Sequence, residues 1–182
     1  MTVVVDGPLF ASAQNALTFA LNFEHQQSPS NPMQQLMKRT MMGKGLGLSG
    51  IDGAHQAGAI LQLLEKLPVN QRAILTVRFG DVKASCPCCG QDANTRAWRE
   101  AVDVLSHAKE IADLHQKIRH AIVEKIVCKR RMMRVAALAS RYESTERTIQ
   151  RRMRDVKPGL VELEARATAE MQDWLAGRGV VA

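Results

Sequence analysis

Aromatic residues are scarce in this chain: they make up 4% of its 182 residues, as two Trp, one Tyr and four Phe. Single-stranded nucleic acid is gripped by stacking bases on exposed rings, and only Tyr142 lies near the basic segment described below. A stacking platform is therefore not expected. No apolar run approaches the roughly 18 to 20 residues that span a bilayer. The opening Val3-Val4-Val5 has neither a basic n-region nor a long apolar h-region, so the chain is expected to be soluble, unexported and cytoplasmic. Strand-like alternation is almost missing, and no internal repeat is visible. Neither an H-x-E nor an H-E-x-x-H run occurs, and no carboxylate cluster or activated nucleophile accompanies the cysteines. No enzymatic activity is expected. Cysteines number only four, three of them within Cys86-Pro87-Cys88-Cys89-Gly90. Adjacent thiols cannot make a disulfide framework, so a reducing compartment and a metal are the expectation.

What is present suits a folded domain. Apolar residues are 46% and charged residues 24%, enough for a sizeable core, and the length allows one domain with an appended arm. Ala13, Ala16, Leu17, Ala20 and Leu21 predict a helix from Ser12 to about Glu24. The Gln26 to Pro32 run reads as a linker, and Met33 to Met42 as a short helix. Gly43 to Gly50 suits a hinge, or a mobile loop that brings Lys38, Arg39 and Lys44 to a ligand. Apolar spacing predicts a helix over Asp52 to Leu67, and Pro68, tolerated at a first helical position, opens another that runs to Phe79 and is closed by Gly80. Neither glycine nor proline occurs between Gly90 and Pro158. A break near Ser106-His107 would fold that stretch into a hairpin of Thr95 to Ser106 and Ala108 to Val127, with His115 on its apolar stripe. Helices over Met132 to Arg141, Thr145 to Val156 and Leu160 to Leu175 complete an all-α chain.

The net charge of +7 is concentrated. Lys129 to Lys157 holds ten Lys or Arg and three acids, 10 − 3 = +7; the remainder has 25 − 10 = 15 bases against 18 − 3 = 15 acids. Such localisation points to a polyanion, nucleic acid before membrane. Within it a small-residue helix, a short turn and a basic helix follow one another, the pattern of a helix-turn-helix. Ser144 is expected to cap the second helix, with Ile149 and Met153 turned inward. Its outer face would offer Thr145, Arg147, Thr148, Gln150, Arg151, Arg152 and Arg154 to double-stranded DNA, joined by Arg130, Arg131, Arg134 and Ser144. Base reading is placed at Arg147 and Gln150, backbone contact at Arg152 and Arg154. A solvated basic helix at the edge of a bundle is the other option.

Cys86 and Cys89 form a C-x-x-C with Pro inside and Gly after, like one knuckle of a zinc ribbon. Cys88, Cys128, His107, His115 and His120 are candidates to complete a structural zinc site. In a hairpin, Cys128 returns to the end from which the cysteine loop departs, whereas His107 lies at the far turn, which favours Cys86, Cys88, Cys89 and Cys128. His115 is expected in the core and His120 at the surface. Free thiols are the alternative.

Leu67-Pro68-Val69-Asn70-Gln71-Arg72-Ala73-Ile74-Leu75-Thr76-Val77-Arg78-Phe79-Gly80 resembles the first half of the sigma-factor region 4 DNA-binding fold, and Arg130 to Arg154 its second half. With the cysteine loop and hairpin between them, and Ser49-Gly50-Ile51-Asp52 and Gln56-Ala57-Gly58 before, residues 46–157 are similar to phage late-gene antitermination proteins of the Q type. The resemblance implies an N-terminal arm and linker (1–45), a first part of the helix-turn-helix core (46–80), a zinc-knuckle and helical-hairpin insertion (81–128) and a basic helix-turn-helix with a C-terminal helix (129–182). It further implies binding near a late promoter and association with bacterial RNA polymerase, so that terminators are read through in the host cytoplasm. An ordinary repressor or activator, or a zinc-dependent nucleic-acid enzyme, are the competing classes.

Overall fold

The structure, a computed structural model, describes residues 8–27, 50–85, 92–128 and 134–182. The expected helix at Met33 to Met42, the Gly43 to Ser49 part of the glycine run, and Cys86, Cys88, Cys89, Arg130 and Arg131 lie outside them. The described residues form seven α-helices: α1 Ala13–Gln27, α2 Gly50–Lys66, α3 Val69–Phe79, α4 Arg96–Ser106, α5 Gln116–Val127, α6 Val135–Arg141 and α7 Glu146–Ala176. The class is all-α. A two-stranded ribbon, absent from the sequence-based expectation, pairs β1 Lys83–Ser85 with β2 Asp92–Asn94 in antiparallel register, Ser85 opposite Asp92. Among the described residues no helix is long and apolar enough to cross a membrane.

Amphipathic spacing explains α4, and burial on several sides explains α3. Trp98, Ala101, Val102 and Leu105 sit at i, i+3, i+4 and i+7 and all are buried. The Thr95 hydroxyl caps this helix by accepting from the Trp98 amide at 3.3 Å. In α3 the run Ala73, Ile74, Leu75 and Val77 is buried because neighbours stand on several sides: α1, α4, α5 and α7. Pro68 is the extended residue before this helix, φ −50° and ψ 145°, not its first helical residue. Gly80 is extended as well, at φ −75° and ψ 158°, and does not take the left-handed closing conformation. Glycine is needed there for a different reason: a Cβ would stand 2.6 Å from the Thr76 carbonyl oxygen, which accepts the Gly80 amide at 3.0 Å.

Helix α1, within the segment read as an arm, belongs to the main core, with Ala13, Ala16, Leu17, Ala20 and Phe23 buried. Asn22 ties it down by donating from Nδ2 to the Thr18 and Phe79 carbonyls at 2.7 and 3.0 Å. The opposite end is clasped to the C-terminus. The Phe10 amide donates to Val180 O at 3.0 Å, Phe10 bridges Val181, and Gln172 accepts from the Ala13 amide at 2.8 Å while donating to Ala182 O at 2.9 Å.

Two expected boundaries differ. The second arm of the hairpin starts at Gln116, not Ala108. Ala108, Ile111 and Leu114 are buried at a spacing of three, which suits the 3-10 turn Lys109–Ile111, and Arg119 takes the Leu114 and Ala112 carbonyls at 2.9 and 2.7 Å. His115, expected in the core, is exposed. The separate helices at Thr145 to Val156 and Leu160 to Leu175 are one helix running through Pro158. An internal proline costs about 3 kcal/mol. Set against it is an unbroken buried face of Ile149, Val156, Leu160, Leu163, Ala167, Met171 and Leu175, each large side chain contributing about 1.5–3 kcal/mol. Gly159 is a contact point: a Cβ there would lie 3.2 Å from Glu110 Cγ, so its absence lets the 3-10 turn lie against α7.

Candidate nucleic-acid interface

The basic segment folds as a corner. Helix α6 is short, and its described residues begin with Arg134 as the extended residue preceding Val135, so the expected Met132 start is later by three residues. The corner is set at its C-terminus. The Ser144 amide donates to Ala139 O at 2.9 Å and the Glu143 amide to Ser140 O at 3.4 Å, with Glu143 at φ 48° between them. These are the paired closing bonds of a left-handed helix end. Glycine usually fills that position, and a carboxylate residue there costs about 1 kcal/mol. With its amide turned back onto α6, Ser144 does not cap α7. Thr145 does, its hydroxyl accepting from the Thr148 amide at 3.2 Å and meeting the Thr148 hydroxyl at 2.9 Å.

Leu138, Ala139 and Ile149 are buried in a small core of their own, flanked by Val135, Tyr142, Met153 and Ala121 from α5. Met153 also touches the main core. The corner is thus a satellite carried on the N-terminal turns of α7. Ile149 fixes which side of α7 faces inward, and the rest of the wheel follows. Arg147, Gln150, Arg151 and Arg154 are exposed on the outward stripe, as is Thr145 at the cap. Thr148 and Arg152 lie half-buried on the flank toward the corner, and Ser144 is half-buried in the turn. Arg154, expected beside Arg152 at the backbone, shares the stripe of Arg147 and Gln150 instead. The structure therefore brings together eight of the expected DNA-contacting residues, from Ser144 to Arg154, while Arg134 stands exposed ahead of α6.

Their electrostatic state is distinctive. Among the described residues Arg78, Arg96 and Arg166 are paired with Glu164, Glu100 and Glu162. Arg134, Arg147, Arg151, Arg152 and Arg154 have no ion-pair partner among them. Sequence reasoning passed over Arg141, whose guanidinium lies 5.9 Å from the Tyr142 ring centre. It also passed over the α5 face that backs the corner. Burial pushes the Glu124 carboxyl up, against the opposing pull of His120 and Arg141. His120, at the surface as expected, pairs with Asp103 at 3.2 Å.

Of the four expected metal ligands only Cys128 is described, and it is buried in the main core. The described residues contain no group of three possible metal ligands. Two placements bear on the cysteine segment: Ser85 opposite Asp92 brings its two ends together, and Arg78 Nη1 donates to Val127 O at 3.1 Å, holding the end of α5 against the end of α3. His107 ends α4 at the far turn. No protein-family model matches the chain, and neither a curated protein nor a solved structure is found to be similar to it.

Proposed function

We propose that this protein is a sequence-specific, double-stranded-DNA-binding regulator of transcription, of the phage late-gene antitermination kind, in which α6 and the first turns of α7 act as the helix-turn-helix. The observation that carries the proposal is the outward stripe of Arg147, Gln150, Arg151 and Arg154, with no carboxylate paired to its arginines among the described residues. Unneutralised guanidinium groups on one face repel one another, so a purely structural helix gains nothing from them. Phosphates and guanine edges supply the missing negative partners. No aromatic residue lies on the stripe, which favours a duplex over single strands. Association with bacterial RNA polymerase rests on the resemblance of residues 46–157 and not on the stripe.

Two measurements test this. Arg147→Ala should lose about 1–3 kcal/mol of discrimination at one base pair, and Gln150→Ala should relax preference at a neighbouring one; equal weakening for every duplex would leave only an electrostatic patch. Transcription by purified bacterial polymerase across a terminator should show read-through with the intact protein and none with Arg147→Ala. DNA binding without read-through would make the protein an ordinary repressor or activator.

A structural zinc belongs to the same proposal, held by Cys86 and Cys89 with Cys88 and Cys128. The ribbon that joins the ends of the cysteine segment supports the loop part of that set; Cys128, packed among apolar side chains, is its weakest member. Elemental analysis of protein purified without added metal should give about one zinc per chain, and chelation should broaden thermal unfolding. Metal-free protein that unfolds identically in chelator removes zinc from the proposal.

A further inference from the structure

On the flank of α7, away from the outward stripe, a cleft of about 480 Å³ opens between the start of α5 and the α6–α7 corner. Arg141 enters it from the end of α6, Arg152 and Thr148 from α7, Ser144 from the turn and His115 from the segment before α5. The single carboxylate lining it belongs to Glu143, which is exposed. Neither Arg141 nor Arg152 has an ion-pair partner among the described residues; Glu124, which attracts Arg141 from the far side, is not part of the cleft lining, so Arg152 faces this space without a counter-ion from the described residues. The Thr145 and Thr148 hydroxyls share one hydrogen bond, and the second of their two protons is left to donate outward.

We propose that this cleft seats one backbone phosphate of the bound duplex, gripped by Arg141 and Arg152 and assisted by the Thr148 hydroxyl. The inference rests on the DNA-binding proposal and adds a division of labour to it. Successive helix residues are turned by about 100°, so Arg152 points sideways when Arg151 points outward. A helix with its side chains is roughly 10–12 Å across and fits the roughly 12 Å major groove closely. When the stripe faces the base edges, the flank faces a wall of the groove, and that wall is made of phosphates. Paired guanidinium groups with a hydroxyl donor match the tetrahedral oxygens of a phosphodiester better than they match a base edge.

The test uses the full chain and a duplex enriched from a randomised pool, beside a scrambled duplex, over a range of salt. Arg141→Ala and Arg152→Ala should each weaken binding to both duplexes alike, roughly tenfold, and lower the salt slope by about one. Arg152→Lys should keep the slope, since the charge is retained. A series of duplexes each carrying one neutral methylphosphonate should then locate the partner. One position should weaken the intact protein and leave Arg141→Ala/Arg152→Ala, already without the contact, unaffected. Circular-dichroism melting confirms that each variant is folded. An unchanged salt slope in both single variants, or a double variant that still responds to every methylphosphonate that affects the intact protein, overturns the phosphate seat. If the intact protein binds enriched and scrambled duplexes equally while the salt and methylphosphonate results hold, base reading fails and the seat stands. If it binds no duplex at low salt, both fall.

Discussion

Arg78→Ala should destabilise the whole protein by about 3 kcal/mol, the loss associated with removing one partner of a largely buried ion pair. For a chain of this size that is a fall of roughly 6–12 °C in Tm. The Arg78 side chain is only 11% exposed; its Nε meets Glu164 Oε1 at 2.9 Å and its Nη1 donates to Val127 O at 3.1 Å. One guanidinium thus joins α3, α5 and α7. Truncation strands a carboxylate that is 27% exposed and a main-chain carbonyl at the end of α5, and removes the packing of the arginine stem. Arg78→Met refills the volume without satisfying either acceptor, so it should recover part of the loss and no more. A melt of Arg78→Ala within about 2 °C of the parent would mean that the three-helix junction is held by apolar packing alone.

Ile149→Ala should have its largest effect on function. A buried isoleucine truncation costs about 2–5 kcal/mol in a well-packed core, but the satellite core has just three buried side chains among the described residues. The loss is therefore comparable with the whole local stability of the corner, and α6 should open before the remainder melts. Amide exchange would rise across residues 135–149 while α3 and α4 keep their protection. On the proposed DNA-binding reading, affinity for a duplex should fall more than tenfold although none of the residues assigned to contact it has been changed. If exchange increases equally in α3, the corner and the main core are a single cooperative unit. In Leu105→Ala, made as a comparison, the expected order is reversed: global stability falls and the corner is lost only with it.

The sequence made the amphipathic helices readable. The stripe of α4 repeats at helical spacing and is opposed by a full set of neighbours, so local pattern and packing agree there. Where they disagreed, local chemistry misled. Pro158-Gly159 looks like a helix end, yet Leu160, Leu163, Ala167, Met171 and Leu175 hold the C-terminal half on the same face as Val156, and that burial outweighs one lost hydrogen bond. Ala108, Ile111 and Leu114 fit a helix as well as they fit a 3-10 turn, and only Arg119, drawing off two carbonyls, decides between them. Ser144 and Thr145 are both good caps one residue apart; the left-handed Glu143 settles the choice by turning the Ser144 amide back, and no glycine announced it. At the candidate interface Ile149 and Met153 placed Arg147 and Arg151 outward, but not Arg152 and Thr148 on the flank or Arg154 on the stripe. The cleft was not legible, because Arg141, Arg152 and His115 come together through the return of α5 against α6, a contact of the folded chain that no local pattern encodes.

Because α7 carries the outward stripe at one end and at the other clasps Phe10 and Ala13 together with Val180 to Ala182, it sets a spacing as well as a shape. From Arg147 to Gln172 is about 38 Å along an uninterrupted helix, at 1.5 Å per residue, close to the roughly 34–36 Å of one turn of B-DNA. Those same residues are about seven helical turns apart, so the clasp returns to nearly the azimuth of Arg147. The clasp formed by Phe10, Gln172 and the buried Val181 is therefore held at a fixed reach and a fixed phase from the arginine stripe. Adding or removing one residue between Val156 and Leu160 would rotate one end against the other by about 100° and turn part of the buried face from Val156 to Leu175 out of the main core, so the packing that holds α7 also locks the direction in which its far end points.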